Sequence, residues 1–178
     1  MKNLGPTDLK RLHREWRHRP HGRLAVLLDG VQTPYNVGAI VRTAAAERVE
    51  HLYVAAPSAP PSHPTSRKVS LGTERYVEWS SYETIEAAVD AARDAGYQLV
   101  GLELADGAVP LHAASLRDDV CVVVGHEDRG LSPLALAACD VVAFVPQLGK
   151  VGSLNVAQAA AIGIYEVRRR SWIAGGGS

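Results

Sequence analysis

The chain has 178 residues, 47% of them apolar and 21% charged, which fits one folded domain and excludes wholesale disorder. Its net charge of zero is unevenly spread: residues 1–23 carry seven Lys/Arg against two acids, residues 164–178 carry three Arg against one acid, and the stretch between them is acidic. The apolar uncharged run Val151–Tyr165 has 15 residues, short of the ~18 needed to span a bilayer, so no membrane partner is expected.

Residues 1–23 read as a basic helical extension. Leu9, Leu12 and Trp16 form an apolar stripe, Lys10, Arg11, Arg14 and Arg17 surround it, Thr7 can cap the start and Pro20 ends it. The stripe is expected to dock on the body. This polar, basic start has no secretory apolar core.

From Leu24 the pattern alternates strand and helix. Leu24–Leu28 (LAVLL) is a buried strand, Asn36–Glu47 a helix, His51–Ala55 a strand, and Ala56–Pro64 (APSAPPSHP) a loop. Tyr76–Trp79 is a candidate strand. Tyr82–Ala95 is a helix with Ile85, Ala88, Val89 and Ala92 on one face, stopped by Gly96. Tyr97–Leu102 and Val120–Val124 (VCVVV) are strands, the second apolar on both faces as a central parallel strand requires. Pro133–Cys139 is a helix, Val141–Val145 a strand and Ser153–Arg170 a long closing helix. The Gly-Gly-Gly-Ser end belongs to a flexible tail, 171–178. Cys121 and Cys139 sit in apolar stretches without metal-ligand spacing, so no metal site or disulfide is expected, and the cytoplasm is the expected compartment.

Alternating strands and helices give an α/β fold with a mainly parallel sheet flanked by helices. Ligands in such sheets bind beyond the carboxyl ends of the strands, so chemistry is sought in the loops there. The first loop runs from Asp29 into PYNVGAIVR. Asn36 stands where a helix cap would, and Arg42, six residues on, sits in an otherwise apolar helix, so it needs an anion or an open face. The second follows VCVVV: Gly125 allows close approach to backbone, Glu127 is a carboxylate just past a buried strand, and Ser132-Pro133 opens a helix. In the third, PQLGKVGSLNV, Ser153 can cap the last helix, which leaves Asn155 in its first turn, where Asn is a poor helix former. Taken singly, each loop also fits an ordinary turn or cap.

Together they form a set. Asn36 with Arg42 in PYNVGAIVRTA, Gly-x-Glu-x-x-Gly in VVVGHEDRGLSP, and Ser-Leu-Asn-Val before an alanine-rich helix in VPQLGKVGSLNVAQAAAIGIYE occur in order. Over residues 24–170 the chain resembles the SpoU (TrmH-like) branch of the SPOUT RNA 2′-O-ribose methyltransferases.

The resemblance implies an α/β knot fold with a deep C-terminal trefoil knot, a homodimer with the knotted region in its interface, and S-adenosylmethionine as methyl donor. Because the sulfonium already activates the methyl, no metal is implied. By motif, the cofactor is held largely by backbone at Gly125, Val145, Leu148, Ser153 and Leu154, with Leu102 and Glu103 approaching the adenosine. Arg42 is implied as the main catalytic residue. A guanidinium stays protonated and is a poor base, so we expect it to grip a substrate phosphate and stabilise alkoxide charge, while phosphate or water takes the proton. Asn36 would position Arg42 or the ribose. Glu127 would orient motif residues or pair with Arg42, and Ser153 and Asn155 would hold the same network. The 2′-hydroxyl marks RNA as the partner, with Lys10, Arg11, Arg14 and Arg17 and the cluster Arg168, Arg169 and Arg170 as phosphate contacts. The small extensions lean towards tRNA. Ribosomal RNA and a non-catalytic RNA-binding module are the alternatives. A Rossmann dehydrogenase lacks its G-x-G-x-x-G, and a P-loop fails at Gly149-Lys150-Val151.

Overall fold

A computed structural model describes residues 3–17 and 21–175; Pro20, expected to end the first helix, and Gly176–Ser178 lie outside the described residues. After helix α1 (Pro6–Trp16) the body runs β1 (Leu24–Asp29), α2 (Pro34–Ala46), β2 (His51–Ala55), α3 (Pro64–Ser70), a 3₁₀ turn, β3 (Glu78–Tyr82), α4 (Ile85–Asp94) and β4 (Gln98–Leu102). It continues through β5 (Val109–Pro110), β6 (Val120–Gly125), α5 (Pro133–Ala138), β7 (Val141–Phe144) and α6 (Val156–Gly175).

The seven strands form one sheet in the order β3-β2-β1-β6-β4-β7-β5, every pair parallel. Two strands made late lie between strands made early: β6 between β1 and β4, and β7 between β4 and β5. Every residue of β1 and β6 is buried, because both faces of the sheet are covered. Along β1, Leu24, Val26 and Leu28 point to a core shared with α2 and α6, through Val37, Ile40, Ala160 and Ile164. Ala25 and Leu27 point to the other core, with Ala88 and Val89 of α4 and Ala135 of α5. This period-2 division explains why LAVLL and VCVVV are apolar throughout rather than alternating.

Several boundaries differ from expectation. α2 begins at Pro34, whose fixed φ suits the first helical position, so Asn36 lies inside the helix and is buried; Thr33 is the cap residue. Pro6 likewise starts α1, with Gly5 rather than Thr7 before it. α3 falls in a segment with no apolar periodicity. It forms because the His63 ring accepts the Thr65 N–H at 3.1 Å, the Ser66 hydroxyl donates to the Pro34 carbonyl at 3.0 Å, and Gly38 on α2 lets the Ser66 backbone and Val69 pack directly against it. α6 continues through Ser171–Ile173, where a tail was expected, because the Trp172 ring packs edge-on against Tyr165 (5.6 Å) and Trp16 (5.2 Å).

The stripe on α1 does not dock as expected. Leu9, Leu12 and Trp16 remain 43%, 38% and 39% exposed, and no residue of α1 is buried. Its ties to the body include the Trp16–Trp172 contact and a 2.8 Å hydrogen bond from the Arg48 guanidinium to the Arg17 carbonyl.

Candidate active site

β1 and β6 end in register at Asp29 and Gly125, and the three motif loops meet beyond that edge. Their polar side chains form a chain of hydrogen bonds. Asn155 accepts the Ala157 and Gln158 N–H groups on its Oδ1 at 3.0 and 3.3 Å, so it, not Ser153, caps α6. Its Nδ2 donates to Asn36 Oδ1 at 3.0 Å. The Asn36 Nδ2 donates in turn to Glu127 Oε1 at 3.0 Å. The Glu127 carboxylate also accepts the Thr33 N–H at 2.9 Å and the Gln32 N–H at 3.3 Å. Residues more than 90 positions apart are thereby locked together, and each amide is fixed in one orientation by its neighbours.

Burial works against ionisation of Glu127, but hydrogen bonds from Asn36, its own backbone and Thr33 outweigh it and bring the carboxyl down to about 2. A carboxylate depressed below its ordinary value of 4.5 stabilises the fold above that pH, and the contribution is lost as pH falls from 4.5 through about 2. Glu127→Gln presents an NH₂ to surrounding donors. We expect it to be less stable than the parent at pH 7 and the gap to narrow from pH 4.5 downward and close below about pH 2, as read by urea unfolding across that range. A constant gap between them would remove the carboxylate from this role.

The second loop is pinched shut. His126 and Gly130 exchange backbone hydrogen bonds, each 2.9 Å. Gly125 has the Gly130 backbone where a Cβ would be, and Gly130 (φ +67°) has the Glu103 carboxylate there. Glu103 accepts the Leu131 N–H at 2.9 Å and the Leu104 N–H at 3.0 Å, so it braces this loop against the end of β4. Asp29 does the same from β1, accepting the Ser132 N–H at 2.6 Å. The bracing role of Asp29 was not anticipated, although an acid at the end of an apolar strand was a visible signal.

Between the second and third loops lies a cavity of about 530 Å³, within the range of small-molecule sites. Leu102, Glu103, Gly125, Val145, Ser153 and Leu154 line it, as the motifs implied for a cofactor site. Leu148 does not: its side chain stands fully in solvent, and its neighbour Gln147 lines the cavity instead. Gln147 Oε1 is buried with no hydrogen-bond partner among the described residues, an acceptor left for a ligand N–H. Glu103, Glu127 and Asp128 outnumber Arg129 around the cavity, a balance that favours a cationic ligand. An adenine amino group and a sulfonium meet both requirements, so the residues present fit S-adenosylmethionine.

Arg42 lies on the solvent-facing side of α2, with no hydrogen bond or ion pair among the described residues. The open face is therefore the arrangement found, and Glu127 is engaged with Asn36 rather than with Arg42. Ser153 is exposed at the cavity and, among the described residues, takes no part in the Asn155–Asn36–Glu127 chain.

Lys10, Arg11 and Arg14 on α1 and Arg17 at its C-cap are exposed. The C-terminal cluster has another job. Arg168 is 4% exposed, and its guanidinium donates to the carbonyls of Glu47 (2.8 Å), Arg48 (2.6 Å) and Gly22 (3.4 Å). It is withdrawn from any phosphate. Arg169 and Arg170 are both paired with Glu166, at 2.7 and 2.8 Å, and Arg170 also donates to the Ala114 and Leu111 carbonyls.

A model of the SpoU rRNA Methylase family matches residues 23–165. The chain belongs to that family. Among its SpoU relatives, the tRNA (guanosine(18)-2′-O)-methyltransferase of Escherichia coli K12 is 31% identical over 97% of this chain and 74% of its own length. The 23S rRNA (guanosine-2′-O-)-methyltransferase RlmB of Acinetobacter baylyi is 32% identical over 83% of this chain, which spans only 60% of that protein. Of solved SpoU-like structures, an AdoMet-bound rRNA methyltransferase from Sinorhizobium meliloti superimposes with a TM-score of 0.79 at 28% identity, covering 86% of this chain and 58% of that one. The A. aeolicus TrmH/SpoU tRNA modifying enzyme gives 0.77 at 28% identity, covering 95% and 85%.

Proposed function

We propose that this SpoU-family chain transfers a methyl group from S-adenosylmethionine to a ribose 2′-hydroxyl of RNA, with tRNA as the acceptor. The observation that carries the reading is the chain of hydrogen bonds from Asn155 through Asn36 to Glu127, which ties the helix bearing Arg42 to the wall of a cavity fit for the cofactor. Bound S-adenosylmethionine supplies a methyl already activated by positive sulfur. The residues of the chain then have to serve the acceptor. Arg42 holds a substrate phosphate and stabilises the charge that grows on the 2′-oxygen, and the proton leaves to that phosphate or to water. Asn36, held from both sides, fixes the first turn of α2 and with it the direction from which Arg42 reaches the ribose. A tRNA acceptor is favoured because the Escherichia coli tRNA enzyme is matched along 97% of this chain, the basic helix α1 included.

Three finer features belong to the same reading. The protein works as a homodimer, supported by the exposed Leu9 and Leu12 of α1 and by Ile162, Tyr165 and Ile173 on the outer face of α6, which a second copy would cover. The C-terminal part is threaded as a trefoil knot, a reading supported by β6 and β7 lying between earlier strands. The compartment is the cytoplasm, in keeping with RNA as the substrate. Among the described residues no helix is long and apolar enough to cross a membrane.

The test is transfer from labelled S-adenosylmethionine to unfractionated tRNA and, separately, to ribosomal RNA, followed by nucleoside analysis. A 2′-O-methylated nucleoside in the tRNA pool is expected. Label only in ribosomal RNA would change the substrate, and no transfer and no cofactor binding would favour an RNA-binding module.

A further inference from the structure

Tyr35 is 62% exposed although it occupies the first turn of α2, next to the buried Asn36. A lone exposed aromatic is ordinary on a protein surface; this one stands on a mount that is fixed on every side. Its preceding residue, Pro34, has its carbonyl held by the Ser66 hydroxyl at 3.0 Å. The following residue, Asn36, is clamped between Glu127 and Asn155, and the Thr33 N–H is bound by Glu127 at 2.9 Å. The ring therefore projects from a backbone with little freedom left to lose, which is the condition under which an aromatic side chain binds a flat partner at low entropic cost. Tyr35 and Arg42 are seven residues apart on one helix, so they share a stripe and stand about 10 Å apart along the axis. An aromatic face and a guanidinium within a nucleotide's reach of each other match what an unpaired nucleotide offers, a base to stack and a phosphate to pair.

We propose that Tyr35 is the stacking platform for the unpaired base adjoining the methyl-accepting ribose. The proposal rests on the RNA 2′-O-methyltransferase reading and adds to it a site for the nucleobase. Base–aromatic contacts tolerate any base, so Tyr35 favours an unstacked loop nucleotide over a paired one without choosing its identity.

The probe is unfractionated tRNA with labelled S-adenosylmethionine. Tyr35→Ala is expected to raise the KM for tRNA by roughly tenfold or more and to leave the KM for S-adenosylmethionine and the thermal midpoint unchanged. Tyr35→Phe and Tyr35→Trp, which keep the ring, should stay within about twofold of the parent. A Tyr35→Ala protein with the parent's KM for tRNA overturns the proposal while leaving the methyltransferase reading intact. Dissociation of an oligomer by Tyr35→Ala, seen by light scattering, also overturns it, because the ring would then belong to an interface between copies. A parent protein that transfers no methyl to any RNA removes the methyltransferase reading itself, and the platform with it.

Discussion

Arg42→Ala should lower kcat by about 10²–10³, the usual loss when one group aimed at developing charge is removed, with no change in cofactor affinity. The separation follows from the geometry: Arg42 is exposed on α2 and is not among the residues lining the cavity. Because it is exposed and unpaired among the described residues, the same substitution should move unfolding by less than about 0.5 kcal/mol. Arg42→Lys keeps the charge but loses the planar two-pronged grip on a phosphate, so it should recover only part of the rate. Steady-state kinetics with tRNA, alongside calorimetric titration with S-adenosylhomocysteine, would check both. Full activity in Arg42→Lys would show that the fork geometry is dispensable and that the assigned role is wrong.

Gly125→Ala should act on the other half of the site. A methyl group there overlaps the Gly130 backbone, and no rotamer change can relieve a clash with main chain. Overpacking of this kind costs about 3 kcal/mol at the upper end. The cheapest escape is for the second loop to lift from the sheet, which breaks the His126–Gly130 pair and opens the cavity wall. We expect cofactor affinity to fall roughly 100-fold, the equivalent of that energy, and the thermal midpoint to drop. Gly149→Ala is the matched control, since it also lines the cavity but its Cβ would meet open space. Equal affinity in the two variants would mean that the pinch at Gly125 does not shape the cofactor site.

The central strands were legible because burial on both faces leaves a mark in the local sequence, the unbroken runs LAVLL and VCVVV. The motif residues were legible as a set, and the hydrogen bonds among Asn36, Glu127 and Asn155 supply their common purpose. What escaped notice depends on distant partners. α3 is held by Pro34 and Gly38, some 30 residues earlier, and its own residues, PTSRKVS, carry no periodic signal. Arg168 looked like one member of a solvent-facing basic cluster. Its ligands are carbonyls around 120 to 146 positions away, and no local pattern distinguishes a buried guanidinium from an exposed one. The start of α6 failed for a different reason: Ser153 and Asn155 are both good caps, and only the position of the first helical turn decides between them.

The order of the strands also bears on how the protein comes into being. As the chain emerges from the ribosome, β1 and β4 cannot pair, because the place between them belongs to β6, and β5 must wait for β7. Nascent intermediates therefore hold open two gaps with unpaired edges, the kind of species that folds slowly and aggregates readily. The site is later still, since Asn36 has no Asn155 to meet until the start of α6 has been made. A shortened chain ending before that point would be expected to need holding by a chaperone and to have no means of modifying RNA, so that activity itself reports that synthesis has passed the start of α6.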